Sequence, residues 1–190
     1  MKRGNQRVFG CVGMTKRAET RRERYDKKSH VATKYPISLC AINFRVDDNL
    51  GYLIRAAACF GAERLYVIGY VPERSKLKAS SGSLTDYVEI IQFSTPAEFL
   101  VHMQTEGIQV VAGELTPEAQ SLFAYNFDFN RHLCLVVGNE ETGVPPEILQ
   151  SAHIVCIPMP GVGYCLNTSQ TANILFYEAV KQYETEYTNV

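Results

Sequence analysis

The chain has 190 residues, 46% of them hydrophobic and 21% charged, proportions that fit one folded domain with a sizeable core. No stretch approaches the roughly 18 apolar residues of a membrane span. The basic N-terminus is followed by no apolar h-region, which argues against a signal peptide and for a cytoplasmic protein. The net charge of −1 hides an asymmetry: residues 1–34 carry eleven Lys/Arg against three Asp/Glu, and the other 156 carry eight against seventeen. A basic arm on an acidic body points to an anionic polymer as partner, because Lys and Arg on phosphates release counterions. The chain is therefore divided into an arm, 1–34, and a domain, 35–190.

Six cysteines (Cys11, Cys40, Cys59, Cys134, Cys156 and Cys165) form no C-x-x-C pair, and several sit in apolar runs. That pattern reads as free thiols in a reducing compartment. The four histidines are scattered, so no metal site is expected. Within the arm, the run K-R-A-E-T-R-R-E-R-Y-D-K-K is either disordered or, when bound to a partner, helical from about Thr15 to Lys28.

Ile37–Asn43 reads as a buried strand. A helix follows over Leu50–Phe60, where Leu50, Leu53, Ile54 and Ala57 share one face, Asp48 or Asn49 is placed to cap the start, and Gly61 to end it. Arg55 lies about 140° around that helix from Leu50, off the apolar stripe. Leu65–Gly69 is the next strand, Lys76–Asp86 a serine-rich polar loop, and Tyr87–Phe93 a strand. Pro96–Glu106 reads as a helix with Pro near its first position, Ile108–Ala112 as a strand, and Thr116–Leu122 as a short helix.

Leu133–Val137 is wholly apolar and runs into G-N-E-E-T-G-V-P-P-E, where Pro146 and Glu147 suit a helix start. Ile154–Met159 is a strand ending at prolines. A glycine-containing loop, G-V-G-Y-C-L-N-T-S, then leads into a helix with Ala172, Leu175, Phe176, Ala179 and Tyr183 on one stripe. Asn167, Thr168 and Ser169 are placed to cap it. Strands alternating with helices give an α/β class, a mostly parallel sheet covered by helices on both faces. Ligands bind such sheets past the carboxyl ends of strands, where the polar loops after Ala112, Val137 and Met159 fall.

Three segments stand out: N-L-G-x-x-I-R-x-x-x-x-F-G from Asn49, V-V-G-N-E-E-T-G-V from Val136, and I-P-M-P-G-x-x-Y-C-L-N-T-S from Ile157. In this order and spacing they resemble the three motifs of the SpoU branch of the SPOUT RNA methyltransferases, over residues 37 to about 183. The resemblance implies methyl transfer from S-adenosylmethionine to a ribose 2′-hydroxyl of tRNA or rRNA, and tRNA is favoured because single-domain members often act on it. It also implies a C-terminal trefoil knot, which periodicity never suggests, and a homodimer joined through the knot region.

Carried over by position, Gly138, Ile157, Leu166 and Gly113 are expected to line the cofactor site, and Arg55, Glu140, Asn167 and Asn49 the catalytic one. Arg55 matches the family's essential arginine. A guanidinium is too basic to accept a proton, so its expected task is to position a phosphate and stabilise the developing oxyanion, with Glu140 orienting it as a charge-assisted partner. Asn167 and Asn49 shape the pocket. Lys78–Ser83 resembles the family's RNA-facing serine/glycine loop. Cys165 stands where the family commonly has serine, and this departure keeps one alternative open: a catalytically weak, knotted RNA-binding protein. A dinucleotide site at G-V-G-Y-C-L-N is disfavoured, since the third glycine and a following strand are missing.

Overall fold

The computed structural model describes residues 19–188, which fall into two compact units divided between Ala32 and Thr33. In the first, helix α1 (Arg21–Ser29) opens with a capping box. The Thr20 hydroxyl accepts from the Glu23 N–H at 3.3 Å, and the Glu23 carboxylate accepts from the Thr20 N–H at 2.7 Å. No residue of α1 is buried. The part of the expected helix before residue 19 lies outside the described residues.

The second unit is built on seven strands: β1 (Ile37–Ile42), β2 (Arg64–Ile68), β3 (Glu89–Phe93), β4 (Gln109–Gly113), β5 (Gln120–Ser121), β6 (Leu133–Val137) and β7 (His153–Cys156). They lie in the order β3-β2-β1-β6-β4-β7-β5, and every pairing is parallel. Burial on both faces explains the near-continuous apolar runs, because alternate side chains enter two separate cores. Ile37, Leu39 and Ala41 of β1, with Leu133, Leu135 and Val137 of β6, pack with helices α2 (Asp47–Phe60) and α6 (Thr168–Tyr187). Cys40, Ile42, Cys134 and Val136 point the other way, toward α4 (Pro96–Thr105) and α5 (Pro146–Leu149). Each fully buried aliphatic side chain contributes on the order of 1.5–3 kcal/mol of transfer free energy.

Four local expectations are corrected. Thr116–Leu122 is not a helix: after a turn closed by the Ala119 N–H on the Thr116 carbonyl, Gln120 and Ser121 extend to pair with Val155 and Cys156 of β7. That pairing covers the sheet edge, and Leu122, Tyr125 and Phe127 sink into the core behind it. The start of α2 is not capped by Asp48 or Asn49. Its N-cap is Val46, with no side-chain hydrogen bond, and Asn49 is drawn into the site described below.

The serine-rich segment is not a plain loop either. It contains a short helix, α3 (Arg74–Leu77), and a single 3-10 turn at Thr85–Tyr87, with Leu77, Ser80 and Ser81 buried. This packing explains a glycine inside α2: a Cβ on Gly51 would lie 1.9 Å from Ser80 Oγ. The strand expected to reach Met159 stops at Cys156, and the residues beyond it turn to a cavity wall.

Candidate functional site

The neighbouring strands β6, β4 and β7 end at Val137, Gly113 and Cys156. Past their carboxyl ends lies a cavity of about 440 Å³, within the range of small-molecule sites. Gly113, Gly138, Ile157 and Leu166 all line it. The chain after β6 folds tightly: Asn139 and Gly143 exchange backbone hydrogen bonds at 3.1 and 3.0 Å. The Asn139 side chain secures this turn, accepting from the N–H groups of Glu141 and Thr142 at 2.8 and 3.2 Å and donating to the Asn43 carbonyl. No side chain fits at residue 138, since a Cβ there would lie 2.1 Å from the Gly143 carbonyl carbon. The Thr168 hydroxyl donates to the Gly138 carbonyl at 2.8 Å and fastens the start of α6 to the end of β6.

A second cavity, of about 530 Å³, opens between α2 and α6 and is lined by Asn49, Arg55 and Asn167 among others. Asn167 lines both cavities. The link is a chain of hydrogen bonds. Glu140 accepts from the Asn49 side-chain amide at 2.6 Å, and Asn49 in turn accepts from the Asn167 amide at 3.0 Å. Asn167 then accepts from the N–H and hydroxyl of Ser169 at 2.9 and 2.7 Å, which caps α6. Burial works to raise the Glu140 pKa. Hydrogen bonds from the Arg45 N–H, the Asn49 amide and the Val46 N–H more than offset it, so the carboxyl lies below its ordinary value.

Arg55 is exposed at the mouth of the second cavity. The expected Glu140–Arg55 partnership does not form, because Glu140 is held by Asn49 and by the backbone of Arg45 and Val46. The Arg55 guanidinium instead faces the serine/glycine loop, where a Cβ on Gly82 would come within 3.7 Å of it. The four residues expected to be catalytic thus surround the seam between two cavities, with Glu140 on the side of the first and Arg55 on the side of the second.

Sequence reading overlooked Glu114, the first residue past β4. It lines the first cavity, and its carboxylate accepts from the Leu115 N–H at 3.0 Å and the Val144 N–H at 2.8 Å. The signal available was its place immediately after a strand end. Tyr164 and Cys165, both exposed, also line this cavity. Among the described residues, no group of His, Cys, Asp or Glu is arranged to hold a metal ion, and no helix is long and apolar enough to cross a membrane.

Residues 36–177 match the SpoU rRNA methylase family, and the chain belongs to it. It is 30% identical over 181 residues to the tRNA (guanosine(18)-2′-O)-methyltransferase of Aquifex aeolicus, covering 93% of this chain and 82% of that one. It spans less of the Escherichia coli enzyme of the same name, 63%, at 24% identity. A crystal structure of the Aquifex aeolicus TrmH/SpoU tRNA modifying enzyme superposes with a TM-score of 0.75 at 28% identity, covering 87% of this chain and 85% of that one. The AdoMet-bound rRNA methyltransferase from Sinorhizobium meliloti gives 0.68 at 25% identity, covering 78% of this chain and 57% of that one.

Proposed function

We propose that the chain transfers a methyl group from S-adenosylmethionine to a ribose 2′-hydroxyl of structured RNA, with tRNA favoured over rRNA. The observation that carries this reading is the pair of adjoining cavities: one walled by main chain, apolar side chains and carboxylates, the other presenting Arg55, and both bordered by Asn167. Family membership supplies the reaction class, and the name of the Aquifex aeolicus relative favours tRNA.

The first cavity fits the cofactor chemically. Gly138 lets backbone approach closely, and strand-end amides with Ile157 and Leu166 suit an adenosine held by main-chain and apolar contacts rather than by a phosphate-binding cation. Gly113, Gly138, Ile157 and Leu166 are the residues that would hold it. When bound, S-adenosylmethionine supplies a methyl group on a positively charged sulfur. The protein's own task is to bring a hydroxyl oxygen in line and to disperse charge as its proton leaves.

Arg55 performs that task by gripping a phosphate and facing the developing oxyanion, for which five fixed N–H donors are suited. Glu140, Asn49 and Asn167 keep the seam between the cavities rigid. The segment from β7 through the loop into α6 is where the family's trefoil knot would lie. Exposed Tyr52 and Cys59 line the Arg55 cavity, and exposed Tyr177 packs edge-on against its wall residue Phe60, a surface suited to a homodimer in which a second copy completes the site. The basic arm, 1–34, would add RNA affinity from a cytoplasmic protein.

The test is incubation of purified protein with tritiated S-adenosylmethionine and bulk RNA. Label in the tRNA fraction is the expected result. Label in no RNA, with cofactor demonstrably bound, would instead support the catalytically weak RNA-binding alternative that Cys165 raised.

A further inference from the structure

The walls of the cofactor cavity carry charge of one sign. Glu114, Glu140 and Glu141 line it, and among the described residues no lysine, arginine or histidine does. Two of the three carboxylates are already committed. Glu140 is held by Asn49 and two backbone N–H groups, and Glu141 is ion-paired with Arg45. Glu114 differs: it takes one N–H from Leu115 and one from Val144, and it has no cationic partner among the described residues.

Those two N–H groups come from different segments, the start of the loop after β4 and the end of the turn after β6, so the carboxylate is fixed from both sides. Its position is reserved by Gly143, whose φ is +67° and whose Cβ, if present, would lie 2.4 Å from Glu114 Oε2. Each carboxylate oxygen has two lone-pair sites, and each is used once by backbone, which leaves acceptor capacity on both. A partly buried anion held in advance of binding and lacking a counter-charge favours a cationic ligand in the same cavity.

We propose that Glu114 is a specificity-determining residue that distinguishes the methyl donor from its demethylated product by charge. The inference rests on the S-adenosylmethionine reading above. The donor carries a sulfonium, an α-ammonium and a carboxylate, for a net charge of +1. S-adenosylhomocysteine keeps the last two groups and has a neutral thioether, so its net charge is zero. Apart from the transferred methyl group the two ligands are alike, and the change in their affinity difference on neutralising Glu114 isolates the sulfonium charge. A carboxylate acting on that charge holds the donor and releases the product once the methyl group has gone.

Calorimetric titration of the full chain with S-adenosylmethionine and, separately, with S-adenosylhomocysteine tests this on wild type, Glu114→Gln and Glu114→Asp. Glu114→Gln is expected to weaken donor binding about tenfold, equivalent to about 1.4 kcal/mol, and to leave product binding within twofold. Glu114→Asp keeps the charge and is expected to retain most of the preference. A substitution that merely loosened the turn would weaken both ligands alike, so an equal loss, or no loss, overturns the assignment. Wild-type protein that binds neither ligand at millimolar concentration overturns the cofactor reading itself, and this assignment with it.

Discussion

The two cavities are built on opposite plans. The first is walled by strand ends, a glycine that admits no side chain and a turn closed by five backbone and side-chain hydrogen bonds. The second is a gap between two helices whose key side chain, Arg55, is exposed and holds no ion pair among the described residues. A wall of main chain cannot change its shape without breaking the sheet, so it suits a ligand that is the same at every turnover. An exposed guanidinium adapts, and it gains its full electrostatic effect only when a substrate or a second subunit excludes water from it. Rigidity and openness are thereby separated by one hydrogen-bonded seam, Glu140–Asn49–Asn167.

The largest expected effect breaks one side of that comparison alone. Arg55→Ala is expected to lower methyl transfer by at least about 100-fold, the scale for loss of an oriented charge donor. S-adenosylmethionine affinity stays within a few-fold and the melting temperature is nearly unchanged, since the side chain is exposed. Single-turnover assays beside calorimetry read both quantities. A parallel collapse of cofactor affinity would mean the two cavities do not act separately.

Gly138→Ala attacks the other side. A methyl group 2.1 Å from the Gly143 carbonyl carbon must displace backbone, at a cost of about 1–3 kcal/mol, and the turn it displaces forms a wall of the first cavity. Thermal unfolding should show the loss, with cofactor affinity falling more than tenfold. Unchanged affinity in a folded Gly138→Ala protein would place the cofactor elsewhere.

Much of this architecture is legible in the residues, for reasons that differ by element. Leu133–Val137 reads as a buried strand because five apolar residues in a row suit a sheet covered on both faces. Pro96 marks the start of α4 because its missing N–H is harmless there. The three motifs place seven residues that the structure gathers, with Gly113 at the end of β4, around two joined cavities. What the motifs do not contain is which group bonds which. The choice of Asn49 rather than Arg55 as the partner of Glu140 depends on where α2 lies against the turn after β6, a distance of 91 residues along the chain. Gly51 looks like a defect in a helix until Ser80 is seen against it. Thr116–Leu122 has polar and small residues compatible with a helix, and only the free edge of β7 draws it into a strand. Glu114 has no periodic neighbour to mark it, so strand-end position was its sole signature.

The seam itself yields the two smaller effects. Asn49 is only 3% exposed and is both donor and acceptor within it. Asn49→Ala therefore leaves the Asn167 amide and part of Glu140 without partners, and about 1–3 kcal/mol of stability should be lost in denaturant unfolding. Glu140→Gln sharpens the same point through pH. The folded Glu140 carboxyl has a pKa lowered from its ordinary value of 4.5, so its ionised form is favoured by folding. Its contribution is fully present above about 4.5 and is lost as pH falls through the lowered folded value. The wild-type advantage over Glu140→Gln should thus be largest near neutral pH and shrink progressively below 4.5. Because Glu140 is exposed at one edge, solvent screening keeps that advantage under about 1 kcal/mol. A gap that stayed constant from pH 7 to pH 3 would mean that the carboxylate's charge contributes nothing to the seam. Glu140 would then act only by shape, and its hydrogen bonds to Asn49 and to the backbone at Arg45 would be those of a neutral group.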